Sequence, residues 1–174
     1  MRILFLTLLA ALLIPASASA QGVPTGDFVY QSSQSKGQIE KTIKKGIEAA
    51  IEDMSFITRP IARGRLEDSN VPVKTVKLKL TPKKVTIQHG DRNPVTSNVD
   101  GSPVNWTRKS DGKTFKVSQI VKPQLIIQTF FSEDGKKTLK YKFSEDYKKM
   151  TMEVKLTSPK LGAPLKYELD YAQK

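Results

Sequence analysis

The chain has no cysteine, one histidine and one tryptophan in 174 residues. Beyond its first twenty positions it has no apolar run long enough to span a bilayer. Each scarcity removes a class of explanation. Without cysteine there is no disulfide framework and no thiolate metal site, so the fold must rest on packing. His89 stands alone, without the histidine or carboxylate spacing of a metal cluster, and its neighbours Gly90 and Asp91 make it read as a solvated turn residue. No Gly-x-Ser-x-Gly elbow and no phosphate-cradling glycine loop occurs. The acidic pairs Glu67-Asp68, Glu133-Asp134 and Glu145-Asp146 fall at predicted turns, where solvated carboxylates are poorly placed for acid–base work. These absences point to a protein that is not an enzyme and needs no cofactor or metal.

What is abundant is lysine. The formal net charge is +12, yet the lysines are spread over nearly every strand-like segment and do not gather on one element. The segment KTFKVSQI lacks the glycine and aromatic pattern of an RNA-binding sheet, and no helix-turn-helix is visible. Nucleic acid is therefore set aside as a partner. Weak, salt-dependent contact with an anionic envelope surface is the expectation the charge supports.

Residues 1–20 have the order of an export signal. Arg2 supplies the positive start, Ile3 to Ile14 the apolar run, Pro15 the break, and Ala18-Ser19-Ala20 the small residues of a cleavage site. The expectation is an exported, periplasmic or secreted protein, cut near Ala20. Residues 21–35 read as a polar lead segment, and 36–174 as a single domain.

Within that domain the apolar period changes once. Ile39, Ile43, Ile47, Ala50, Ile51 and Met54 recur at spacings of three and four, which predicts one amphipathic helix over about 36–56. Gly46 in its interior marks a close packing contact, and Pro60 ends the helix or starts a second short turn. From about residue 73 to 171 the period is two. Val76, Leu78 and Leu80 alternate with lysines, and the same rule continues through Leu139, Tyr141 and Phe143 to Leu169 and Tyr171. Asp100-Gly101, Asp111-Gly112 and Asp134-Gly135 punctuate the runs as turns. Only Leu125 to Phe131 is apolar on both faces, which suggests that the helix covers it. In the pair of strands within 132–156, a loop over Glu145 to Lys148 sets Phe143 against Met150, Tyr141 against Met152 and Leu139 against Val154. The lysines of that hairpin then point outward.

The pattern predicts a mainly β fold: an antiparallel up-and-down barrel, or a strongly curled meander, of about eight to nine strands with one N-terminal amphipathic helix. Parallel βαβ units are excluded, because no helix separates the strands. Two sets of residues stand out as ligand contacts. Arg59, Arg63 and Arg65 interleave with Phe56, Ile57, Ile61 and Leu66, and guanidinium groups suit planar contacts with carboxylate or phosphate. The competing use is pairing with Glu67, Asp68 or turn carbonyls, which would clamp the helix to the barrel. Trp106, Phe115, Tyr141, Met152 and Tyr167 lie at inward parity and would line a cavity if one exists.

FITRPIARGRL, DGSPVNWTR and LTSPKLGAPLKYELDY together resemble a recurring pattern of uncharacterised secreted bacterial proteins. In architecture the chain is similar to the calycins, the lipocalins and fatty-acid-binding proteins, although Trp106 does not sit in the Gly-x-Trp start typical of lipocalins. That resemblance implies a barrel holding a small apolar or amphipathic ligand, with an anionic end where arginines reach it. The other expectation is a structural or interaction protein of the bacterial envelope, with a packed core and a basic outer face. An internal cavity of several hundred cubic ångströms separates the first from the second.

Overall fold

The computed structural model describes residues 25–174; the predicted export signal lies outside the described residues. Helix α1 spans Lys36–Ile51 and begins with a capping box: the Ser35 hydroxyl accepts from the Gln38 backbone N–H, and the Gln38 side chain accepts from that of Ser35. Its stripe of Ile39, Ile43, Ile47, Ala50 and Ile51 is buried. Each isoleucine removed from water is worth about 1.5–3 kcal/mol, enough for the stripe to hold the helix on the sheet. α1 stops short of the predicted 56 because the chain turns at 52–58. A second helix, α2, follows over Arg59–Ser69. Pro60 opens this helix, where its missing N–H would be unpaired anyway, so the single helix expected is in fact two.

Ten strands form one antiparallel sheet, where eight or nine were expected. Two strands lie outside the runs read from sequence, the short one over Val95–Asn98 and β1, Gly26–Ser32, inside the segment read as a polar lead. Only Phe28 and Tyr30 alternate there, too short a pattern to be read as a strand alone. Pairing with the chain's far end supplies what local pattern lacks, Tyr30 opposite Gln173 on one side and Val76 on the other. The helices consequently sit between β1 and β2 and do not precede the sheet. The remaining strands are β2 (Thr75–Leu80), β3 (Lys84–His89), β4 (Val95–Asn98), β5 (Val104–Thr107), β6 (Thr114–Lys122), β7 (Leu125–Ser132), β8 (Gly135–Phe143), β9 (Lys149–Thr157) and β10 (Leu165–Gln173). The predicted Asp-Gly pairs all fall between strands or at a strand's first residue, with glycine φ of 88°, 68° and 148° at Gly101, Gly112 and Gly135. Between β8 and β9 the register is the expected one, Phe143 with Met150, Tyr141 with Met152 and Leu139 with Val154.

Backbone pairing runs β4-β3-β2-β1-β10-β9-β8-β7-β6-β5 and leaves a single seam, between β4 and β5. The barrel is therefore nearly closed. Side chains stitch the seam: the Trp106 indole N–H donates to the Pro94 carbonyl at 3.0 Å, and the Asn93 amide donates to the Thr107 carbonyl at 3.0 Å. At the far end of β4, Asp100 bridges Ile120 of β6.

α1 lies against the start of β10, and Gly46 marks the contact. A β-carbon there would come within 2.6 Å of the Lys166 carbonyl oxygen, so the close packing expected of Gly46 is real. Among the described residues no helix lies over the outer face of β7, contrary to expectation: Phe131 keeps 42% of its surface exposed. The helices instead roof the end of the barrel where β1 finishes and β2 begins. At the opposite end Phe28, Tyr30, Phe143 and Tyr147 stack in sequence, at centroid distances of 6.4, 5.6 and 5.6 Å. The Tyr30 hydroxyl donates to the Tyr147 carbonyl at 2.8 Å, and burial pushes its pKa up to about 12. That end is plugged, with about 10 Å³ of free space.

Candidate ligand cavity

Beneath α2 lies a cavity of about 560 Å³. Its roof is the underside of α2, with Ala62, Leu66 and Ser69, and its side wall is an aromatic trio from three neighbouring strands. Trp106 of β5, Phe115 of β6 and Phe130 of β7 all point inward by strand parity, because Trp106 pairs with Phe115, while Val117 pairs with Phe130. Their rings meet at 5.6–6.2 Å, with Phe130 edge-on to both neighbours. Leu139 and Leu156 continue the apolar lining.

The floor is polar. His89, at the end of β3, lines the cavity and lies 2.7 Å from the Tyr141 hydroxyl, which donates to the Gln128 side-chain carbonyl at 2.8 Å. Since that hydroxyl donates onward, it accepts from His89 Nε2–H, and the Nδ1 of a neutral imidazole is left as an acceptor. Burial and the nearby charges of Arg92 and Lys137 hold the His89 pKa down to about 3. His89 is thus not the solvated turn residue expected from Gly90. It shares the inward parity of Val85 and Ile87, and β3 runs one residue further than the turn signal suggests. One layer deeper, Ser97 donates to the Gln119 carbonyl at 2.8 Å, and the amide N–H groups of Gln119 and Gln128 are buried without a protein acceptor.

The cavity is strongly basic. Six cationic side chains, Arg65, Arg92, Arg108, Lys113, Lys137 and Lys160, face it against one carboxylate, Asp134. Asp134 is already shared by Lys113, at 3.5 Å, and Lys160, at 2.5 Å. Arg108 forks onto Asp111, with Nε to Oδ1 at 2.8 Å, and lies 5.2 Å over the Phe115 ring. Lys137 donates to the Asn70 side-chain oxygen at 2.8 Å and to the Ser69 carbonyl at 3.4 Å, tying β8 to the C-terminal end of α2. The surface that Lys137 keeps is cavity wall, so its ammonium is enclosed by protein although water can touch it. Burial, then the charges of Arg92 and Arg108, bring its pKa down to about 7. Lys137 also corrects the outward reading of the hairpin lysines: it shares inward parity with Leu139 and Tyr141, while Lys136, Lys140 and Lys142 point out.

The residues expected to contact a ligand divide into two groups. Trp106, Phe115 and Arg65 do line the cavity. Arg59 and Arg63 do not; they act as clamps between the helices. Arg59 donates to the carbonyls of Glu52 and Met54, and Arg63 forks onto Glu48 at 2.6 and 2.7 Å. Tyr141 and Met152 are buried below the floor, and Tyr167 donates to Asn70 at 3.1 Å behind the basic wall. Glu67 and Asp68, read as a turn pair, lie in the last turns of α2. Phe130, Arg92 and Lys137 were not singled out from sequence. For Phe130 and Lys137 the signal existed, as inward parity within β7 and β8. For Arg92, in the β3–β4 turn, it did not.

A second space, an open cleft of about 670 Å³, lies outside the same end, between the α2–β2 link and the turns after β3 and β5. His89, Arg92, Asn93 and Arg108 border both spaces and form the partition between them.

No family model matches the chain, and no curated protein does. Among solved structures, fatty-acid-binding protein 1 of Echinococcus granulosus is similar at a TM-score of 0.50 and 12% identity, over 86% of this chain and 96% of that one. A fatty-acid-binding protein from brain tissue of Drosophila melanogaster has a TM-score of 0.49 at 12% identity, over 84% of this chain and 96% of that one. At such identity the likeness is one of fold alone: a nearly closed barrel of ten antiparallel strands with two helices between the first two.

Proposed function

We propose that the chain is an exported bacterial protein that holds a small apolar or amphipathic molecule in the cavity beneath α2. The observation that carries this reading is a chamber of about 560 Å³ with an aromatic wall, in a barrel whose other end is plugged. Ligand sites usually enclose about 300–1,000 Å³, lined by apolar and aromatic groups with a few placed polar ones. A packed-core structural protein would leave no such space. The Echinococcus granulosus neighbour, named for binding fatty acids, makes a single-chain amphiphile a reasonable class of ligand.

The only tryptophan lies on the cavity wall, so Trp106 emission reports occupancy directly. Native mass spectrometry of protein purified from its host should show a small co-purified molecule. Its extraction should shift Trp106 emission. Protein that arrives without a companion, and neither takes up nor displaces anilinonaphthalene sulfonate, would end the reading.

Export rests on the order of residues 1–20, and N-terminal sequencing of extracellular or periplasmic material should begin at Gln21. Weak contact with an anionic envelope surface is supported by the outward lysines and by Phe56 and Ile57, exposed at the turn between the helices. Cosedimentation with phosphatidylglycerol vesicles should be lost as salt is raised. Binding indifferent to salt, or equal on neutral vesicles, counts against that contact.

A further inference from the structure

We propose that Arg92 and Lys137, with Arg108 beside them, form an anion site at the partition between the cavity and the outer cleft. The charged end of the ligand sits there, under the C-terminal end of α2, and its apolar part runs inward against Trp106, Phe115 and Phe130. This rests on the cavity reading above and adds the ligand's charge and its direction.

Four observations converge. First, the walls hold six cationic side chains against one carboxylate, and Asp134 is taken up by Lys113 and Lys160. Second, among the described residues the Arg92 guanidinium makes no hydrogen bond or ion pair, although it is half-buried. Lys137 has two neutral partners, the Asn70 and Ser69 oxygens, and so one N–H still to give. Third, these cations are close enough to act on each other: Arg108 lowers the affinity of Arg92 for its proton, and both lower that of Lys137. A fold gains nothing from crowding like charges in a partly desolvated space, unless an anion is to be received there. Fourth, Arg92 and Arg108 border both the cavity and the cleft, so an anion arriving from solvent meets them at the threshold. The three come from the β3–β4 turn, the end of β5 and the start of β8, and the fold alone brings them together.

A guanidinium and an ammonium with open N–H donors suit an oxyanion such as a carboxylate or a phosphate. The aromatic trio behind them favours one that carries an apolar chain. The test titrates Trp106 emission in the full mature chain with dodecanoate, dodecanol and inorganic phosphate, each against wild type, Arg92→Gln and Lys137→Met. Dodecanoate should bind at least about tenfold more tightly than dodecanol to wild type, and Arg92→Gln should remove most of that margin without moving dodecanol. Among the described residues the Arg92 side chain is bonded to no other group, so this variant should retain native structure. Dodecanoate is ionised throughout pH 6–9, whereas Lys137 sheds its proton near 7. Wild-type affinity for dodecanoate should therefore fall as pH rises through that range, and Lys137→Met should flatten the fall. The charged groups facing Lys137 are Arg92 and Arg108, with His89 neutral throughout this range, so no carboxylate offsets the change.

Equal affinity for dodecanoate and dodecanol, or an Arg92→Gln loss common to both, overturns the anion site and leaves the cavity reading standing. Phosphate alone binding as tightly as dodecanoate overturns the inward-running chain. If neither amphiphile binds, the cavity reading falls and this one falls with it.

Discussion

The two ends of the barrel are built from similar residues and come out differently. At the plugged end Phe28, Tyr30, Phe143 and Tyr147 stack, with Leu78, Leu80 and Ile126 filling the space between strands, and about 10 Å³ is left. At the roofed end Trp106, Phe115 and Phe130 make a comparable cluster, yet about 560 Å³ stays open beside it. The difference is what faces the rings. Tyrosine and leucine close on one another and expel water. Arg92, Arg108 and Lys137 are like charges, which do not pack against one another as apolar side chains do. Apolar packing fills one end, and like charges border the space at the other.

The sharpest way to test this is to truncate an aromatic residue at each end. Tyr30→Ala, at a fully buried position, should lower unfolding free energy by about 3–5 kcal/mol in a urea titration, the range for removing a large core ring. Phe130→Ala removes a ring that already borders open space and should cost less than about half of that. Equal losses would mean that the roofed end is as tightly packed as the plug. Gly46→Ala probes how the roof is attached. Its β-carbon meets the Lys166 carbonyl, a backbone atom that cannot simply swing away, so the variant should lose about 1–3 kcal/mol. Tyr141→Phe strips the layer between the ends of the hydroxyl that joins His89 to Gln128. It should cost about 1–2 kcal/mol, because both partners stay buried.

The last two effects are smaller and concern charge. In the unliganded protein the Lys137 pKa lies near 7, below its ordinary value of 10.5, so between these pH values the unfolded chain binds more protons than the native one. Stability of wild type relative to Lys137→Met should accordingly rise with pH across that window. A flat difference would place the ammonium in ordinary solvent contact. Arg63→Met should leave the urea midpoint almost unchanged, since the Arg63–Glu48 pair is on the surface between the helices. A large loss there would make that pair a main support of the roof.

Much of the barrel was legible in local pattern. The β8–β9 register followed from parity and loop length, and the turn glycines from Asp-Gly pairs. Phe28 and Tyr30 were too few to announce β1, whose pairing partners lie at the opposite end of the chain and beyond two helices. Arg59 and Arg63 drew notice through their apolar neighbours, but on a helix those neighbours fall on other faces, and the guanidinium groups went to Glu48 and the end of α1. Lys137 was hidden by the lysines around it, although its parity with Leu139 and Tyr141 put it inside.

The amino-acid order by itself determined which side chains point inward, because alternation along a strand and the stripe on a helix are properties of local backbone geometry. It also determined that no metal or disulfide framework could be built from cysteine. Only the tertiary structure decided that ten strands close with a seam at β4 and β5, that two helices roof one end, and that Arg92, Arg108 and Lys137 share a threshold. The volume left inside a barrel is the space its strands enclose less the side chains that fill it. Long-range pairing and the placing of the roof set that difference, and neither is written in any short stretch of sequence.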